Sequence, residues 1–308
     1  MKTKLFIIPF LGIISVFVAC NSAQKKSVTN DDSAVKPDSE IVVTDSLRFC
    51  ESTYPYDGGL LIANFGTEEL NPLNNERKGY ILFYKDGSVS TYIPADGNLN
   101  APKGMFETDG YLFICDVNKI VVYNLNDRTE KPQTIRFPEE DMFINDLAAS
   151  GKDLYVSVTN TGKIYKIDIS DLENLDKAKP GIWCNIPGPN GLVLNNDTMF
   201  IASYPPDGNT SVDNVVYVIP DIQNPVPEKL ITEAGQYDGI ALSPDRKTLY
   251  VTNWSPAGVY SIDLDTKQLS AVPMKTEVTG AADMTLKDGK LYIPDLANSC
   301  LIELILPE

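Results

Sequence analysis

The chain has 308 residues, with 26 Lys and Arg against 42 Asp and Glu, a formal net charge of −16 and no histidine. This acidic balance argues against nucleic acid or an anionic surface as partner, because both demand clustered Lys and Arg. The missing imidazole removes histidine-based triads, most zinc sites and haem attachment.

Lys2 and Lys4 precede an apolar run from Leu5 to Ala19, which ends Phe17-Val18-Ala19-Cys20. An apolar core this short predicts a secretory signal peptide over residues 1–19 rather than a spanning helix. Small residues leading into a cysteine resemble the bacterial lipobox, which implies cleavage before Cys20 and acylation of its thiol. The expectation is a protein of the bacterial cell envelope, periplasmic or exposed at the outer membrane. Its only membrane contact would be the lipid anchor, where each buried methylene contributes ~0.8 kcal/mol. Residues 20–40 are polar and cannot offset their ordering entropy by burial, so they read as a tether. The folded part spans 41–308 and reads as one domain because it repeats.

The repeat unit is clearest at Tyr237 to Val251, YDGIALSPDRKTLYV. Two short apolar strands flank a Pro-Asp-Lys turn, which predicts a β-hairpin. Its second strand has counterparts at Leu60–Asn64, Tyr111–Cys115, Leu154–Val158, Met199–Ser203 and Leu291–Asp295. The copies stand roughly 40 to 50 residues apart, several of them behind an Asp-Gly turn. A third strand follows each: 79–84, 120–123, 163–167, 214–218, 258–262 and 300–304. A weaker fourth follows most, as at Ser88–Ile93. About four short strands per period, with no long amphipathic helix, predict an all-β, six-bladed β-propeller. Open blade edges expose unpaired amides, so the ring must close. The segment Ile41–Phe49 is expected to supply the missing outer strand of the last blade.

In such a ring, residues eight to eleven positions before each second strand face the mouth of the channel. They are Glu51, Lys103 with Gly104, Asn145, Asn190, Asp238, and Ala282 with Asp283. Carboxylate and amide oxygens converging from separate blades suit a hard divalent cation, calcium above all. The same residue types also serve as ordinary turn and strand-start residues. Lys103 is a candidate to hold an anionic group of a ligand, against the ordinary fate of a solvated lysine.

Glu51 ahead of the Leu60 strand, Phe143-Ile144-Asn145-Asp146, Pro189-Asn190-Gly191-Leu192 and Tyr237-Asp238-Gly239-Ile240-Ala241 stand in order at blade period. Together they resemble the senescence-marker-protein/gluconolactonase/luciferin-regenerating-enzyme-like superfamily over residues 41–308. The resemblance implies six blades, one divalent ion (calcium or zinc, of which the oxygen donors favour calcium) and hydrolysis of sugar lactones or related esters. It implies Glu51, Asn190 and Asp238 as metal ligands, with Asn145 contacting substrate or a metal-bound water. Two departures stand out. Phe143 occupies the place of a substrate-gripping arginine and cannot donate a hydrogen bond. After Glu51 the chain runs Ser52-Thr53-Tyr54-Pro55 in place of the family's Gly-Pro or Ser-Pro.

The reading is therefore metal-assisted hydrolysis of a small-molecule lactone or ester, with Asp238, or a water it orients, as general base. The alternative is a non-catalytic propeller that captures a ligand or carbohydrate, with Tyr54, Tyr56, Tyr204 and Tyr237 lining the mouth. A strictosidine-synthase-like condensation shares only the architecture. The loops 64–78 and 204–213 are the longest insertions and are expected to carry specificity. Cys50, Cys115, Cys184 and Cys300 have no paired spacing and read as buried thiols, with at most one disulfide, Cys50 to Cys300.

Overall fold

The computed structural model describes residues 40–307. The signal-like segment, Cys20 and the tether through Ser39 lie outside them. Twenty-four β-strands and one short 3-10 turn at Leu175–Lys177 account for the regular structure. The strands form six four-stranded antiparallel sheets. The inner strands are Cys50–Tyr56, Met105–Thr108, Ile144–Ser150, Pro189–Asn195, Tyr237–Leu242 and Thr285–Lys287. Each touches the inner strand of the next blade, and blade six returns to blade one.

Local chemistry builds each blade. Asp57-Gly58, Asp86-Gly87, Asp109-Gly110 and Asp288-Gly289 all have positive φ at both residues. That is the requirement of a two-residue hairpin turn whose twist matches its strands, and Asp-Gly meets it with little strain. The second strands bury both faces, as at Leu60, Leu61, Ile62 and Ala63. Neighbouring sheets stack face to face, so these strands are apolar throughout instead of alternating. Leu61 and Ile81 of the first blade pack on Leu112 and Ile114 of the second, and equivalent layers recur around the ring.

Closure follows the expectation, with a shorter strand. Glu40–Val43 pairs with Cys300–Ile305, Glu40 opposite Leu304 and Val43 opposite Leu301. The Glu40 carboxylate accepts the backbone N–H groups of Lys275 at 2.6 Å and Thr276 at 2.8 Å. The strand does not run on to Phe49, because Ser46 and Phe49 adopt φ of 60° and 50°, which no strand accommodates. The third strand of blade four is likewise only Tyr217–Ile219. Upstream of it the Asn214 side chain accepts from the N–H and hydroxyl of Ser211 and donates to Ser203, holding the chain as a loop. Cys50 and Cys300 are free thiols, and Cys50 Sγ donates to the Cys300 carbonyl at 3.1 Å. Among the described residues no helix is long and apolar enough to cross a membrane.

Candidate metal centre at the channel mouth

Four inner strands slip register just where they approach the axis. In blade one Cys50 pairs with Asn64 and Ser52 with Ala63, leaving Glu51 outside the ladder. Blade three slips between Ile144 and Leu147, blade four between Pro189 and Leu192, and blade five between Tyr237 and Ile240. A bulge bends its strand and re-aims the extra side chain. The bulged residues include Glu51, Asn145, Asn190 and Asp238, the positions singled out from spacing.

Small residues let these strands crowd together. A Cβ on Gly191 would stand 2.5 Å from the Asp238 carbonyl oxygen, and one on Gly239 2.6 Å from the Asp283 Cα. Gly104 N–H donates to the Asn145 carbonyl at 2.9 Å, stitching blade two to blade three.

Glu51 Oε2, Asn145 Oδ1, Asn190 Oδ1 and Asp238 Oδ1 are buried and have no hydrogen-bond partner. An unmade bond at a buried acceptor costs about 1–3 kcal/mol. Three further atoms of this kind, the Tyr92 and Tyr155 hydroxyls and Asn195 Oδ1, belong to other parts of the blades. Neighbouring groups hold two of the four in place. Trp254 Nε1 donates to Asp238 Oδ2 at 2.9 Å, and Asn145 Nδ2 donates to Thr159 Oγ1 at 3.4 Å. The first leaves Asp238 Oδ1 free, and the second, made through the amide nitrogen, leaves Asn145 Oδ1 free. Among the described residues no three acidic or thiol groups form a cage by themselves. The donor set is mixed, two carboxylates and two amides, which is what a hard cation accepts.

The electrostatics agree. Burial, then the charges of Asp238, Asp283 and Asp146, push the Glu51 carboxyl well up, with Lys103 opposing. Burial and the Asp283 charge raise Asp238 to about 7, against the Trp254 hydrogen bond. Burial also lifts Asp283 to about 7, although Ser52 Oγ donates to it at 2.7 Å. Asp146 is raised by burial and by the Asp283 charge, and accepts the Leu192 N–H at 2.7 Å. Asp146 and Asp283 follow the ring positions by one residue and form a second acidic level. Asp283 is among the mouth positions read from spacing, whereas Asp146, though part of the Asn145 motif, is given no role there.

Lys103 is not solvated. It is 0% exposed, and its ammonium donates to the carbonyls of Ala101 at 2.9 Å and Pro72 at 3.2 Å. It also faces the rings of Phe65 and Phe143, 5.5 Å and 5.1 Å from their centroids. Burial lowers its pKa, while the Glu51 and Asp116 charges oppose the shift. Phe143 thus lies beside the ring and packs against this lysine.

Of the four tyrosines expected at the mouth, only Tyr204 is there, packed edge-on against Trp254 at 6.1 Å. Tyr56 closes the opposite end of its hairpin and packs on Tyr92, because it pairs with Gly59 at the turn. Tyr54 lies on the same strand and its hydroxyl accepts the Glu107 N–H. Tyr237 is buried between blades, its hydroxyl donating to the Glu233 carbonyl. Sequence reasoning missed Trp254. The available signal was its place directly after Asn253, equivalent to Phe65 after Asn64.

The family profile described as SMP-30/Gluconolactonase/LRE-like region matches residues 103–292. No curated protein sequence matches the chain. In structure it is similar to a catalytically inactive histidine-to-alanine variant of virginiamycin B lyase from Staphylococcus aureus with quinupristin. That likeness has 14% identity and a TM-score of 0.58, over 87% of this chain and 98% of the other. A chain of a nidogen/laminin complex aligns with 11% identity and a TM-score of 0.57, over 76% and 92% respectively. At such identities the likeness shows the fold alone.

Proposed function

The chain belongs to the SMP-30/gluconolactonase/LRE-like family, and from that premise we propose a divalent-cation-dependent hydrolase of a lactone or related ester. The observation that supports it is the set of four buried, unpartnered oxygens at bulges of four blades. Glu51, Asn190 and Asp238 are the ligands proposed by resemblance. Asn145 presents an equally free oxygen, so we add it to the set that can hold the ion. Calcium suits these donors better than zinc, since no imidazole or thiolate joins them. When bound, the ion polarises a carbonyl oxygen as a Lewis acid.

The chain's own groups do the rest. Asp238 has one oxygen held by the Trp254 indole and one free, and a carboxyl raised to about 7. With that free oxygen given to the ion, Asp238 would act as general base through a water it orients. Lys103, held by the Ala101 and Pro72 carbonyls, is the cationic group whose charge Glu51 and Asp238 favour against its burial. The histidine replaced in the inactive lyase variant has no counterpart type here, because this chain contains none.

The test is calorimetric titration with calcium and with zinc, beside a panel of lactones and aryl esters with and without chelator. Asp238→Ala and Asn190→Ala should abolish both cation binding and turnover. Failure of the wild type to bind either ion removes the proposal. Cation-dependent ligand capture without turnover would instead assign the site to a binding module. The Cys20 anchor is proposed on sequence alone; fatty-acid labelling that persists in Cys20→Ala would refute it.

A further inference from the structure

Resting on that hydrolase reading, we propose that the mouth selects a ligand with an uncharged aromatic or alkyl group and rejects polyhydroxylated lactones. A second ring of side chains lies just outside the four oxygens. It consists of the residues at the ends of the second strands: Phe65, Val117, Thr159 and Leu296, which are buried and back the wall, and Tyr204 and Trp254, which alone are partly exposed and can meet a ligand. A repeated backbone bond sets their height. The N–H groups of Phe65, Thr159, Tyr204, Trp254 and Leu296 donate to Phe49, Phe143, Gly188, Gln236 and Gly280 respectively. Every one of those acceptors stands two residues before a ring position, so five of the six collar residues sit one step outward from the ring, while the Val117 carbonyl instead accepts the Ile144 N–H at 3.2 Å.

The collar is apolar, and its polar atoms are already engaged. Phe65, Val117 and Leu296 pack into one cluster with Met142 and Trp254. The Thr159 hydroxyl donates to the Pro189 carbonyl at 2.9 Å. The Trp254 indole N–H is held by Asp238, and the Lys103 ammonium by two carbonyls between two phenyl rings. Leu73, half exposed on the 64–78 loop, adjoins the Pro72 carbonyl that caps this lysine. Only the Tyr204 hydroxyl among these groups has no partner.

A sugar lactone brings several hydroxyls, and each one stripped of water without a new partner costs on the order of tenfold or more in affinity. Within the collar only the Tyr204 hydroxyl is free to serve them. An aryl or alkyl group loses nothing on entering, and a ring can pack against the edge-on Tyr204–Trp254 pair, whose planes meet at 79°. The same atoms that fix Asp238 and Lys103 thus decide which substrate fits.

Trp254 is one of two tryptophans, so Trp183→Phe makes it the sole emitter. Trp183 donates to the Ile222 carbonyl and packs on Tyr155, away from the collar. Full-length, calcium-loaded Trp183→Phe is titrated with the lactam analogues of dihydrocoumarin and of gluconolactone. Saturable change in Trp254 emission is expected with the aromatic lactam, at concentrations at least about 100-fold below any effect of the sugar lactam. In parallel, kcat/KM for dihydrocoumarin and phenyl acetate should exceed that for gluconolactone by at least about 100-fold. Tyr204→Ser and Phe143→Ser should narrow that ratio through KM while leaving calcium affinity unchanged. Preferred turnover of gluconolactone with silent Trp254 emission overturns the inference and leaves the hydrolase standing. Saturable aromatic binding with no turnover of any ester supports the collar and refutes the hydrolase.

Discussion

Replacing Asp238 with Asn should stabilise the cation-free protein while disabling it. The folded state raises this carboxyl from 3.8 to about 7, chiefly by burial and by the Asp283 charge. A group held this way carries no penalty below pH 4, where it is protonated in both states. The penalty grows as pH climbs from about 4 to about 7 and is complete above that. A rise of this size costs about 4 kcal/mol at pH 8, an upper figure for a single group. Asn keeps an acceptor for Trp254 Nε1 and removes a carboxylate charge that the Glu51 and Asp283 carboxyls oppose. The expected result in chelator at pH 8 is a Tm higher by several degrees, up to ~10 °C for a domain of this size. The gain should vanish by pH 4. Saturating calcium should lift the wild type, by about 2.7 kcal/mol at 100 times its Kd, and leave Asp238→Asn unmoved. Thermal unfolding across pH, with and without calcium, reads both effects. A variant no more stable than wild type at pH 8 in chelator, or a gain that persists at pH 4, would refute the account of a destabilised carboxylate kept for cation binding.

Deleting residues 40–43 should lower stability by several kcal/mol at ~1 kcal/mol per lost backbone bond, and bare the Cys300–Ile305 edge to aggregation. Ile41 and Val42 are 49% and 46% exposed, so pairing rather than burial is what is lost; an unchanged denaturant midpoint would contradict this. Asp141 accepts from Thr161 and Tyr165 at 2.6 Å and from Lys163 at 2.9 Å. Burial raises its carboxyl, but these three bonds outweigh that and hold it below the usual range. Its contribution is therefore full above pH ~4 and lost as pH falls through the lower folded value. Asp141→Asn should cost about 1–3 kcal/mol at pH 7, a deficit that acid titration of Tm shows shrinking towards pH 2. Gly191→Ala should cost about 1–3 kcal/mol and weaken calcium binding, since the new Cβ meets the Asp238 carbonyl at 2.5 Å. Gly181→Ala, whose Cβ finds only the Lys166 carbonyl at 3.8 Å, is the near-neutral control. Equal calorimetric affinities in the two variants would deny that strand crowding shapes the site.

The oxygen ring was legible because a bulge displaces one short stretch in each blade, and its place relative to the second strand is periodic. The lysine and the tyrosines were misread for a related reason. Whether Lys103 meets solvent depends on the 64–78 loop, whose Pro72 carbonyl covers it from 31 residues away. Whether a tyrosine reaches the mouth depends on which end of its hairpin it occupies, and Tyr54 and Tyr56 lie beyond the bulge towards the turn.

By itself the order of residues determined the number of blades, the closing strand and the four oxygen-bearing positions. Those follow from turn chemistry and hydrophobic runs, which act over a few residues and repeat. Only the tertiary structure decided that Asn145 carries as free an oxygen as the three expected ligands. It also decided that Lys103 is sealed between two rings and that Trp254 grips Asp238. Each of these depends on which side chains from different blades or distant loops meet at the axis, and hydrogen-bond partners so far apart in sequence leave no local pattern to read.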